Sequence, residues 1–219
     1  MQSKIILALD LGSLDEAKYF IHKLYPKVKI FKVGLQLYTA AGPKIIQTIH
    51  QKGGEVFLDL KFFDIPNTVA QAIREAVRQR IKMLTLHILG GEAMLKAAVK
   101  AAKSESERRK VKKPLLLGVT ILTSQKTHPN QVLKLAKIGI NSGLDGVVCS
   151  AREARALRSK IKRKFLIVTP GIRPKGVKKN DQKRTATVKE AVQAGSSFLV
   201  VGRPILEAND PLKALQLLE

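Results

Sequence analysis

The feature that most constrains this chain is a repeating unit. Eight times, a short apolar run gives way to a stretch with helical spacing and then to a turn residue. The repeat recurs roughly every 20–30 residues, the period of a strand–helix unit. The runs are Lys4–Asp10, Ile30–Gly34, the run opening at Glu55, Met83–Ile88, Leu115–Thr120, Gly146–Ser150, Phe165–Ile172 and Phe198–Gly202. Continuous apolar runs of this kind read as parallel strands buried on both faces. The intervening helices are expected over 14–24, 41–51 and 67–80, and from about 92 into the charged segment 103–113. Further helices are expected over 129–142, 152–158, 187–194 and 211–218. Ser13 and Glu16 are spaced as a capping box, Gly53-Gly54 and Gly143 close helices, and Asn67 or Thr68 is placed to cap the helix after Pro66.

Eight such units predict an α/β chain folded as a single (β/α)8 TIM barrel, one domain over 1–219. No break in composition divides the sequence, and 45% hydrophobic residues supply a substantial core. A doubly wound sheet would want a glycine-rich turn after the first strand. That turn is Leu11-Gly12-Ser13, with no G-x-G-x-x-G. One cysteine, Cys149, cannot form an internal disulfide, which suits a cytoplasmic protein. No signal peptide and no apolar run long enough to span a membrane is expected.

The net charge is +23, from 40 basic and 17 acidic residues. That balance invites a nucleic-acid partner. The basic residues are nevertheless spread over helices and loops, with three Tyr and seven Phe for stacking. A solvated basic surface is the simpler reading, and no specific nucleic acid is expected.

In a (β/α) barrel the chemistry sits at the C-terminal strand ends. The third run, E-V-F-L-D-L-K-F-F-D-I-P-N-T-V, carries Asp59, Lys61 and Asp64. Residues two apart on a strand share a face, so Asp59 and Lys61 go with Phe57, and Leu58 and Leu60 point away. Unpaired charges in a dry interior are costly. Other unusual strand-end residues are Asp10, Lys32, His87, Thr120, Thr123, Arg173 and Arg203, and Thr85 shares the inner face of the fourth run with His87. Buried ion pairs with a purely structural role are the alternative, but such pairs contribute little to stability. No Cys or Ser stands beside a base, and no cluster has metal-ligand spacing. His87 reads equally as a base or as a packed strand-end side chain. What remains is a lysine framed by carboxylates, with arginines opposite, which suits an anionic, phosphorylated substrate. Gly202-Arg203 after the last strand is a phosphate-type signal, and the loop 173–185 is a candidate lid.

Six segments carry a resemblance: A-L-D at Ala8–Asp10, F-K-V-G at Phe31–Gly34, D-L-K-F-F-D-I-P-N-T at Asp59–Thr68, P-G-I-R at Pro170–Arg173, D-Q-K-R at Asp181–Arg184 and V-G-R-P-I at Val201–Ile205. In order and spacing the chain resembles the orotidine 5′-phosphate decarboxylases of the bacterial type. The resemblance implies a homodimeric barrel that converts orotidine 5′-monophosphate to UMP and CO₂ with no cofactor and no metal. Lys61 would be the acid that protonates C6, with Asp59 beside the substrate carboxylate. Lys32 and Asp59 would flank Lys61, and Asp64 would complete the row from the partner subunit, with Ile65 and Thr68 also crossing. Asp10 and Lys32 would bind the ribose hydroxyls, and Thr123 would lie near the base. Gln182, Arg203 and the Gly202 backbone would hold the phosphate, with Arg173 on that side. Phe63 departs from a His common in relatives. A sugar-phosphate decarboxylase or aldolase with D-x-K-x-x-D and a Mg²⁺-bound enediolate is the rival, disfavoured by D-I-P-N-T and Q-K-R.

Overall fold

The computed structural model describes residues 4–122, 125, 128–174 and 185–218. The eight apolar runs form eight parallel strands: β1 Lys4–Ala8, β2 Ile30–Gly34, β3 Glu55–Phe62, β4 Met83–His87, β5 Leu115–Val119, β6 Gly146–Val148, β7 Leu166–Thr169 and β8 Phe198–Val201. Each pairs with its sequence neighbours, and β8 pairs with β1, so the sheet closes into a barrel. The helices are α1 Leu14–Leu24, α2 Leu35–Ala41, α3 Lys44–Gln51, α4 Pro66–Arg78, α5 Gly91–Arg109, α6 Pro129–Asn141, α7 Ala151–Lys160, α8 Val188–Gln193, α9 Arg203–Leu206 and α10 Pro211–Gln216. This is the expected (β/α)8 architecture.

Strand alternation sorts the core into two bodies. One phase (Leu7, Phe31, Val33, Val56, Leu58, Leu84 and Leu86 among others) packs outward against the helices. The other phase (Ile6, Ala8, Ile30, Phe57, Met83, Leu117, Val168, Phe198 and Val200) fills the barrel. Continuing that inner phase towards the C-terminal ends reaches Asp10, Lys32, Asp59, Thr85 and Gly202. The barrel is therefore apolar through its lower layers and polar at its mouth.

The expected elements differ from the observed ones in several places. Helix α2 was not anticipated, because it follows β2 without a turn and its N-cap, Gly34, offers no side chain. The single turn of α9 was also not anticipated. Ser13 accepts from the Glu16 backbone, but the Glu16 carboxylate takes the Gly12 N–H, so only half of the expected box forms. Neither Asn67 nor Thr68 caps α4. Ile65 occupies the N-cap without a side-chain bond and Pro66 opens the helix, using the position where a missing N–H costs nothing.

The charged segment 103–113, expected as a solvated helix end and loop, is the end of α5 as far as Arg109 followed by a loop, but the helix end is not wholly solvated. The reason is Glu105, which is buried yet accepts from Arg78, Arg108 and Arg109. Hydrogen bonds from Arg108 and then Arg109 hold its carboxyl down at about 2, against an ordinary 4.5. A depressed folded-state pKa adds stability that is present above 4.5 and lost as pH falls towards 2. Glu105→Gln should therefore lower the melting temperature at neutral pH and flatten its acid limb. Thermal melts across that window check this, and an unchanged acid limb would contradict it.

Candidate active site

The mouth of the barrel holds a row of alternating charges. Lys32 Nζ lies 2.9 Å from Asp10 Oδ1 and 3.6 Å from Asp59 Oδ2. Lys61 Nζ lies 3.1 Å from Asp59 Oδ1. Asp59 thus sits between two ammonium groups, its side chain only 15% exposed. Burial alone would raise its pKa. The Lys32 and Lys61 charges, with hydrogen bonds from Lys61 and Thr85, outweigh burial and hold it below the ordinary carboxylate value. Gly34 keeps room for the row, because a Cβ there would stand 3.1 Å from Lys32 Nζ.

Lys61 reaches this row by a different route from simple alternation. Strand β3 pairs with β4 at Phe57↔Met83 and Leu58↔Leu84, and pairing resumes at Phe62↔Leu86. Three residues of β3, Asp59 to Lys61, therefore oppose the single residue Thr85. Lys61 takes up the excess in the left-handed region at φ 52°. That conformation is disfavoured for a residue with a Cβ and marks a position fixed by its surroundings. Thr85 fixes it. Its hydroxyl accepts from the Lys61 backbone N–H at 2.9 Å and donates to Asp59 Oδ1 at 3.0 Å. One buried hydroxyl thereby ties the backbone of the lysine to the carboxylate that its side chain pairs with.

The row forms one wall of a pocket of about 210 Å³. Asp10, Lys32, Asp59 and Lys61 are joined there by Arg173, Gly202 and Arg203, with Gly202 next to Asp10, and by apolar residues that include Ala8, Phe57 and Val200. Arg173 is buried, and Arg203 opens α9. Of the predicted site residues, these seven come together. Asp64, Ile65 and Thr68 do not line this pocket; they are exposed on its rim, and Asp64 accepts from the Ile65 N–H. Thr123 and Gln182 lie outside the described residues, as does most of the candidate lid. Thr120 is buried and donates to the Val148 carbonyl.

His87 packs beside Phe63, ring centroids 5.6 Å apart, and does not line the pocket. Burial, then the Lys61 charge, lowers its pKa, favouring the neutral ring. Of its two sequence readings, the packed strand-end side chain is the one observed. The sequence placed Thr85 on the inner face but gave it no role. Its β4 parity was visible; the bulge that brings two partners to it was not.

The sequence model of the "Orotidine 5'-phosphate decarboxylase / HUMPS family" matches residues 3–218. An orotidine 5'-phosphate decarboxylase of Coxiella burnetii (strain RSA 493 / Nine Mile phase I) is 44% identical, with 99% of this chain and 95% of that protein covered. One from Geobacter metallireducens is 46% identical at 99% and 95% coverage. The chain belongs to the orotidine 5′-phosphate decarboxylase / HUMPS family. The crystal structure of the orotidine 5'-phosphate decarboxylase from Lactobacillus acidophilus superposes with a TM-score of 0.86 at 38% identity, covering 98% of this chain and 96% of that one. Five of the six segments that resemble this family have residues at the barrel mouth or on its rim; 181–184 lies outside the described residues.

Thr85→Val keeps the shape and removes the hydroxyl. It leaves the Lys61 N–H without its acceptor and Asp59 one donor short. The expected cost is about 1–3 kcal/mol of stability, with the Asp59 pKa moving up. Denaturant unfolding and a carboxyl NMR titration measure both; a variant unchanged in both would contradict the role given to Thr85.

Proposed function

We propose that the chain decarboxylates orotidine 5′-monophosphate to UMP and CO₂, in de novo pyrimidine biosynthesis, without cofactor or metal. Family membership makes it an enzyme of the carboxy-lyase class. The observation that carries the finer reading is the Asp10–Lys32–Asp59–Lys61 row lining one pocket together with two arginines. The substrate brings a carboxylate at C6 of its ring and a phosphate on its ribose, and the lysines and arginines of the pocket match those two anions.

In this reading the bond between C6 and the carboxylate breaks and its electron pair stays on C6. The Lys61 ammonium stabilises that charge and donates a proton to C6; CO₂ leaves, and the lysine regains a proton from water. Asp59 lies beside the departing carboxylate, and with Lys32 it holds Lys61 in position. Charges fixed before the reaction need not reorganise during it, which is the main source of electrostatic catalysis. Asp10 and Lys32 take the ribose hydroxyls, and Thr123 stands near the base. Arg203, the Gly202 backbone and Gln182 hold the phosphate, with Arg173 on the same side. Binding energy from the remote phosphate then supports chemistry at the ring.

The working unit is a homodimer. Asp64, Ile65 and Thr68 are exposed on the rim, and Phe63, Ile65 and Leu89 leave large apolar side chains open on adjacent loops. A patch of that kind marks an interface. In the dimer these three rim residues complete the neighbouring site, and Asp64 extends the charged row. A cytoplasmic location agrees with the lone buried Cys149, whose thiol pKa burial pushes well up.

Lys61→Ala should abolish CO₂ release from carboxyl-labelled substrate, with circular dichroism and melting intact. Near-normal turnover in that variant would refute the assignment. Asp64→Ala should be impaired alone, and activity should reappear when it is mixed with Lys61→Ala, because each hybrid dimer carries one complete site. Failure to complement, with both variants folded and dimeric, would contradict the shared site.

A further inference from the structure

Part of the positive charge left unexplained by the active site gathers at the opposite end of the barrel. The segments leading from each helix into the next strand (25–29, 52–54, 79–82, 110–114, 142–145, 161–165 and 194–197) carry eleven lysines and arginines against one carboxylate, Asp145. Helix C-termini also end here, and a cation near each would satisfy the macrodipole. The excess lies beyond the helix ends, and part of it lines a depression of about 880 Å³. That depression opens over the first residues of β3, β5, β7 and β8. A smaller basic depression of about 310 Å³ adjoins it through Arg80 and Val111.

Several cations here are neutralised. Lys82 pairs with Glu55, Lys113 with Asp145, and Arg78, Arg108 and Arg109 with buried Glu105. Arg80, Lys110 and Lys112 are exposed and form no ion pair among the described residues; the exposed Glu107 pairs with none of them. Burial and then the Arg80 charge lower the pKa of His50 on the same wall, as an uncompensated positive potential would.

A backbone observation points the same way. Three non-glycine residues have positive φ among the described residues: Lys61, Arg80 and Lys110. Arg80 and Lys110 stand at helix C-terminal positions where glycine is the unstrained choice. Like Lys61 at the mouth, they keep a cation at a backbone cost.

We infer that the N-terminal face of the barrel is a docking surface for the phosphate backbone of nucleic acid, centred on Arg80, Lys110 and Lys112. Phe198, the one Phe, Tyr or Trp lining the large depression among the described residues, is buried, so it offers no stacking platform. Recognition is therefore of phosphate and not of bases, and binding is independent of sequence.

The test is fluorescence anisotropy of a labelled single-stranded RNA of random sequence, titrated with the full chain between about 50 and 200 mM salt. The variant Arg80→Gly/Lys110→Gly/Lys112→Ser removes the three cations while relieving both positive-φ positions, so it folds. The control Lys134→Gln/Lys137→Gln/Lys189→Gln removes three exposed lysines from the flank. The first variant is expected to bind about tenfold or more weakly, with a log–log salt slope shallower by about two to three. The control should bind nearly as wild type, and inorganic polyphosphate should displace the RNA. Equal losses in the two variants would overturn the proposal, showing diffuse charge. Binding to phosphatidylserine vesicles through the same three residues, with RNA binding unchanged, would also overturn it.

Discussion

The arrangement at the barrel mouth depends on Asp59. A carboxylate that is largely shielded from water is tolerated because Lys32 and Lys61 stand on either side of it and Thr85 donates to it. Removing any one partner leaves the others with a buried, under-compensated charge. The row therefore stays assembled as a unit before any substrate arrives. That property makes it useful for stabilising a developing negative charge, because fixed dipoles and charges outperform water that must reorient.

The barrel provides the frame. Its inner phase is closed by apolar side chains from Ile6 to Val200. The next residues along that phase are the polar ones at the mouth, so one alternation pattern specifies both the packed interior and the site. The β3 bulge is the exception that adjusts the pattern. It lengthens β3 against β4 and brings Lys61 back over Asp59 in a conformation that Thr85 secures. Strain at one lysine is offset by a bonded neighbour, as expected where position matters more than local stability.

Much of this was legible in the sequence. Eight apolar runs at a strand–helix period gave the barrel, and charges on runs that should be dry gave Asp10, Lys32, Asp59 and Lys61. Helix α2 was not legible, because no cap or turn separates it from β2. Neither was the burial of Glu105 in a helix end expected to be solvated, which depends on its finding an arginine from α4. The shared face of Asp59 and Lys61 came from simple alternation, yet alternation fails at Lys61 and the bulge restores the same outcome. Thr85 shows the general limit: a residue whose role is to join two backbone segments has no signature in either segment alone.

The two ends of the barrel carry charge in different ways. At the mouth, cations and carboxylates are interleaved within hydrogen-bonding distance. At the base, cations outnumber carboxylates and part of the charge is left open. The first arrangement suits a small anion held in register for chemistry, and the second suits an extended anion held without register. The central claim concerns the mouth. It is tested most directly by mixing the purified protein with orotidine 5′-monophosphate in EDTA and following the ultraviolet absorbance of the orotate ring. The account predicts loss of that absorbance as UMP forms, with CO₂ released in equal amount. An unchanged spectrum, or a loss that occurs only when Mg²⁺ is supplied, would contradict it.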